Sequence, residues 1–183
     1  LYQSMTGRTL AQDQIALIPV GGVDSLAKCI RILQHMDIPT IAIADLDYGF
    51  RGAIDSGMVN CDAPSIVNLR TLLQSLANQD QVALDQNGLP SKRNSPVSPS
   101  RAFEILAEHD DARPSIESLH QHLKNNRVWL WQKGAIEPHL GLEGKGPAHW
   151  ASFSDRLSRD GVEAVCADHQ SIRELFDWIR EQQ

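Results

Sequence analysis

A chain of 183 residues is long enough to bury a core and short enough to suggest one domain over 1–183, with room for an insertion. Its 17 Lys and Arg against 23 Asp and Glu give a formal net charge of −6, which excludes whole-chain attraction to nucleic acid and leaves such binding to local basic clusters or metal ions. Cys29, Cys61 and Cys166 are scattered with no C-x-x-C spacing, which excludes a disulfide framework or zinc site and suits a reducing, cytoplasmic setting.

The opening, LYQSMTGRTLAQ, has no charged-then-apolar layout of a signal peptide, and nothing later approaches the ~18 apolar residues that span a bilayer. It has no initiator Met either, so the sequence reads as an excerpt of a longer protein. DQIALIPVGG predicts a short strand over 15–20, closed by Gly21-Gly22. VDSLAKCIRILQHM predicts a helix with Asp24 as N-cap and Leu26, Cys29, Ile30, Leu33 and Met36 along one stripe. IPTIAIA is β-branched and apolar on both faces, as in a parallel sheet covered by helices. Strand, helix and strand at this spacing predict a βαβ unit.

From 48 to 126 the alternation stops and a helical insertion is expected. APSIVNLRTLLQSLANQ, SRAFEILAEHD and PSIESLHQHLKNN read as helices, and DQNGLPSKRNSPVSPS between the first two reads as a loop. RVWLWQ resumes the sheet, with Trp129 and Trp131 read as strand packing rather than base-stacking platforms. GAIEPHLGLEGKGP is a loop or short helix and HWASFSDRLSRDG a helix. GVEAVCA is expected as a last short strand, and SIRELFDWIREQQ closes as an amphipathic helix.

Asp45 and Asp47 stand where an apolar strand runs out. At a period of two both would point to one side of the strand, at the carboxyl rim where open parallel sheets bind ligands. Two converging carboxylates repel, and a hard Mg²⁺ or Mn²⁺ ion relieves that repulsion. The alternative leaves one Asp capping the next turn and the other solvated. Glu137 repeats the pattern: an apolar strand, a glycine turn, then an acid, either a third carboxylate of the same rim or a surface Glu at a helix start. Lys145, in the glycine-flanked turn GLEGKGP, is either a solvated loop lysine or a group that neutralises charge on a pentacovalent phosphate. His139 is a ligand or acid beside Glu137, or a structural histidine. Lys92, Arg93 and Arg101 form a local basic cluster able to meet phosphates, or a solvated loop.

IPVGG, a helix, IPTIAIADLD, then WLWQKGAIEPHLGL with a following lysine: this series resembles the Toprim domain of the OLD (overcoming lysogenization defect) family of ATP-linked endonucleases of bacteria and phages, in its C-terminal region, over about 15–145. The resemblance implies an α/β Toprim, Rossmann-like fold, a mostly parallel sheet flanked by helices with the helical insertion inside it. It also implies metal-dependent hydrolysis of DNA phosphodiesters, with two ions. By position, Asp45, Asp47 and Glu137 would bind Mg²⁺ or Mn²⁺, and Lys145 together with Glu137 would serve catalysis. ATP would act only through an N-terminal ATPase domain outside this sequence. The expected partners are DNA, that ATPase domain and, in a homodimer, a second copy, with no membrane.

One departure stands out. Toprim domains of this branch begin with a strand ending in E-G-x-x-[DE], and the only Glu-Gly dipeptide here, Glu143-Gly144, lies at the other end of the chain. An incomplete metal site is therefore expected of this stretch. Two other readings are carried: a non-catalytic Toprim-like module that docks DNA or a partner, and a phosphatase using D-x-D as nucleophile and acid. The latter resembles haloacid dehalogenase-like enzymes, which place a small hydroxyl residue soon after the second Asp, whereas Tyr48-Gly49-Phe50 follows here.

Overall fold

The computed structural model describes residues 1–182, apart from the side chains of Val23 and Asp24. Among the described residues the elements run α1 (Tyr2–Thr6), α2 (Val23–His35), β1 (Ala42–Ala44), a 3-10 turn (Leu46–Phe50), α3 (Gly52–Asp55), α4 (Pro64–Asn78), α5 (Pro99–Glu108), a second 3-10 turn (Asp110–Ala112), α6 (Arg113–Asn125), β2 (Val128–Leu130), α7 (Ile136–Leu140), α8 (Pro147–Asp160), α9 (Val162–Val165) and α10 (His169–Glu181). No described helix is long and apolar enough to cross a membrane. The chain divides into two compact units, Gly21–Ala135 and Leu1–Val20 with Ile136–Gln183.

The Gly21–Ala135 unit is mixed α/β. β1 and β2 pair in parallel, Ala42 opposite Val128 and Ala44 opposite Leu130, as the apolar strands predict. The Trp131 N–H donates to the Ala44 carbonyl at 2.9 Å and extends the ladder by one bond. Helices cover this pair because their apolar residues recur at three and four positions: Ile66, Leu69, Leu73 and Leu76 on α4, and Ile116, Leu119 and Leu123 on α6, are all buried. α4, α5 and α6 each carry a proline in the first turn, where its missing N–H costs no helical bond. The Ser98 hydroxyl caps α5 by accepting the Arg101 N–H at 3.2 Å. Trp129 and Trp131 are buried and meet edge-to-face at 6.3 Å, so they pack, as expected.

Three sequence expectations are corrected. Residues 15–20 form no strand: no ladder partner is present among the described residues, Leu17 and Ile18 are exposed, and a lone strand is not stable in water. The βαβ unit is thus reduced here to a helix and a strand. The segment around Val162–Val165 is a short helix rather than a strand. Gly161 starts it at φ 82°, and the Cys166 N–H closes the turn on the Val162 carbonyl at 2.9 Å. The β-branched run before Asp45 contributes only Ala42–Ala44 to the sheet, and Ile43 on it is exposed. The N-cap position of α2 falls on Gly22, and the Asp24 side chain lies outside the described residues.

The second unit holds α1 and α7 to α10. Ile172, Leu175, Trp178 and Ile179 bury one face of α10, and Phe176 meets Tyr2 of α1 edge-on at 5.1 Å. The Tyr2 hydroxyl donates to the Asp13 carboxylate, which also pairs with Arg8. These two hydrogen bonds hold the Asp13 carboxyl below the usual carboxylate range.

Candidate metal centre

The D-L-D segment leaves the sheet differently from the sequence expectation. β1 stops at Ala44, Asp45 is extended at the N-cap position, and Asp47 sits in the first turn of the 3-10 segment. The two-residue strand period that would aim both carboxylates to one side therefore does not apply beyond Ala44. Two bonds impose the change of backbone. The Leu46 N–H donates to the Gly134 carbonyl at 2.8 Å, and the Tyr48 N–H to the Asp45 carbonyl at 3.1 Å.

Burial then sorts the segment. Leu46, Tyr48 and Phe50 enter the core, whereas Asp45 before them and Asp47 among them stay half-buried. Burial pushes the Tyr48 phenol above its ordinary value, so this residue is an anchor held neutral and not a nearby acid. The apolar residues fix the turn, and the turn presents two hard oxygen donors just beyond the end of a parallel strand.

Gly134 bears on the same turn. Its φ is +96°, and a Cβ there would meet the Glu104 backbone at 2.9 Å. A glycine is thus required where the strand-following turn is wedged against α5 while its carbonyl holds Leu46.

Glu137, Lys145 and His139 belong to the other unit. Glu137 lies in the first turn of α7, but it is buried, at 7% exposure, and so is no surface helix-start glutamate. Its Oε2 is shut from solvent with no hydrogen-bond partner and faces the Lys145 ammonium at 3.6 Å. The structure thus brings Glu137 and Lys145 together. His139 is almost wholly buried; its ring Nδ1 lies 3.0 Å from an Asp168 carboxylate oxygen, and its carbonyl accepts the Asp168 N–H at 2.8 Å. Asp168 in turn caps α10 by accepting the Ser171 N–H at 3.2 Å. Of the two readings of His139, this geometry favours the structural one. Asp168 was not singled out from the sequence, because 29 residues separate it from His139 and only its position before a helix hinted at a cap.

The expected basic cluster is partly neutralised. Arg101 pairs with Glu104 at 3.1 Å and Glu108 at 2.9 Å, one and two turns along α5, which leaves Lys92 and Arg93 exposed in the loop. Among the described residues no group of three or more His, Cys, Asp or Glu side chains stands ready to hold a metal ion. The donor chemistry still fits a hard divalent cation: two half-buried carboxylates follow β1, and Glu137 carries a buried oxygen with no hydrogen bond.

A parallel strand pair covered by helices, with an acidic turn at the carboxyl end of the first strand, defines a Toprim-like α/β chain. A family model described as "overcoming lysogenization defect protein-like, TOPRIM domain" matches residues 1–47, so its match ends on Asp47. The Old nuclease of Escherichia phage P2 is 28% identical over 186 residues, an alignment covering 98% of this chain and 30% of that protein. The resemblance drawn from the sequence is borne out by both matches. The chain spans about 30% of the length of that relative. No solved structure matches it.

Proposed function

We propose that this chain is the nuclease portion of an OLD-type enzyme and acts in metal-dependent endonucleolytic cleavage of DNA. The observation that carries this reading is the likeness to Old nuclease along almost the whole chain, joined to a family match that runs through the D-L-D turn.

In this reading Asp45, Asp47 and Glu137 supply the carboxylate oxygens for Mg²⁺ or Mn²⁺. Two such ions, when bound, activate a water and stabilise the leaving oxygen of the phosphodiester. The side chains themselves do simpler work. Leu46, Tyr48 and Phe50 anchor the turn so that Asp45 and Asp47 are held without reorganisation. Lys145 is half-exposed and already neutralises Glu137. With a cation held at Glu137, Lys145 would offset the charge that builds on the phosphate. ATP acts through a separate N-terminal ATPase domain, and the protein works in the cytoplasm on DNA.

Nicking of supercoiled plasmid by the intact protein in Mg²⁺ or Mn²⁺ tests the reading. Asp45→Ala should lower the rate by at least about a hundredfold; normal nicking by that variant removes the metal assignment. One observation favours a second reading, a Toprim-like module that docks DNA or a partner without cutting: the described residues gather no group of three metal-binding side chains. DNA binding with no metal-dependent nicking, unchanged by Lys145→Ala, would decide for it.

A further inference from the structure

Arg51 ends the D-L-D turn, and its side chain has no structural employment. The residue is half-buried, and its Nε is shut from solvent without a hydrogen-bond partner. Among the described residues the guanidinium makes no hydrogen bond and no ion pair. Arg70 shares the buried, unbonded Nε, but its head donates to the Asn87 carbonyl at 3.1 Å and so has a use in the free protein. Removing an N–H of a cation from water with nothing in return is unfavourable, and such groups ask for an explanation in a ligand or ion.

The backbone makes the placement firm. The Arg51 N–H donates to the Tyr48 carbonyl at 3.3 Å, and its own carbonyl accepts the Asp55 N–H at 2.8 Å, so it is the joint between the 3-10 turn and α3. It follows Asp47 by four positions. At the ~2 Å rise of a 3-10 helix this is roughly 8 Å between Cα atoms, a gap that an arginine and a bound phosphodiester can close together. An arginine also suits the ligand, since its planar fork takes two phosphate oxygens at once.

We infer that Arg51 binds a backbone phosphate of the DNA strand brought to Asp45 and Asp47, an inference that rests on the nuclease reading above. Arg51 is then a DNA-positioning residue that pre-exists as a partially desolvated cation, in a chain whose net charge of −6 gives no general attraction to DNA.

The test reads DNA binding without metal. Fluorescence anisotropy of the intact protein with a labelled duplex of ~25 base pairs is followed in EDTA from about 50 to 200 mM salt. Arg51→Gln should make the slope of log affinity against log salt shallower by about 0.9, the loss of one phosphate contact. Affinity near ~100 mM salt should fall about tenfold, with a melting temperature that is unchanged or higher because no native partner is lost. Arg51→Lys should restore the slope, and only part of the affinity. A slope unchanged in Arg51→Gln overturns the inference, whatever its melting temperature. Plasmid nicking by Asp45→Asn is run beside it: persistent cleavage there removes the metal reading, while the salt slope still decides Arg51. If the wild-type protein binds no duplex in EDTA, both fall.

Discussion

The two units give different settings to the acidic residues singled out from the sequence. In Gly21–Ala135, one apolar cluster runs from Ile30 to Leu130, and Asp45 and Asp47 are carried on a turn whose alternate residues are sunk into it. In the other unit, buried polar groups are stapled to each other: His139 to Asp168, Glu137 to Lys145, Tyr2 to Asp13. In the first, packing fixes the backbone that carries the two carboxylates. The second places them by pairing, so a change of partner, such as arrival of a cation, alters the position and charge of both.

The comparison breaks most readily at Gly134. With φ at +96° and a substituent forced to 2.9 Å from the Glu104 backbone, Gly134→Ala should cost roughly 3 kcal/mol through strain and overpacking. Urea unfolding followed by tryptophan fluorescence would register it, since Trp129 and Trp131 lie in the same unit. A loss below about 0.5 kcal/mol would mean that the turn is not wedged and that packing does not set the D-L-D position. The corresponding blow to the paired unit is smaller. Asp168→Ala removes both a helix cap and the His139 partner, for about 2 kcal/mol. Thermal melting should show it, and Asp168→Asn, which can still cap, should recover part of the loss.

What the sequence disclosed follows the same division. Three of the four α-helices in the 48–126 stretch, α4, α5 and α6, were readable because proline starts and three-four apolar spacing are local signals. That Ala42–Ala44 and Val128–Leu130 belong to a parallel sheet was readable because both runs are apolar, whereas their direct pairing is a finding of the structure. Asp45 and Asp47 stood out because a carboxylate after such a run is rare, yet their orientation did not. The turn bond from Leu46 to Gly134 joins residues 88 positions apart by number, and no local pattern reports it. The strand expected over 15–20 had the right composition, but a strand exists only with a partner. The helix at Val162–Val165 shows the converse: β-branched residues yielded to a local turn where no ladder was offered. Glu137 was legible as an acid after a glycine turn, whereas its burial and its lysine were products of packing eight residues downstream.

The smallest effect is the most informative about pairing. The Lys145 side chain is 49% exposed and the Glu137 side chain 9%, at 3.6 Å, so water screens one partner and barely the other. A double-mutant cycle of Glu137→Gln and Lys145→Met should give a coupling of roughly 0.5–1 kcal/mol in metal-free buffer. The single variants should differ in sign of consequence. Lys145→Met leaves a buried carboxylate uncompensated and should destabilise, while Glu137→Gln removes the buried charge and should cost less, because the lysine can turn to solvent. Added Mg²⁺ or Mn²⁺ sharpens the experiment. If a cation replaces the ammonium at Glu137, Lys145→Met should recover stability on titration and Glu137→Gln should not. Equal responses of the two variants would show that the pair is only a staple, and that the second unit holds Glu137 for its own fold rather than for a metal.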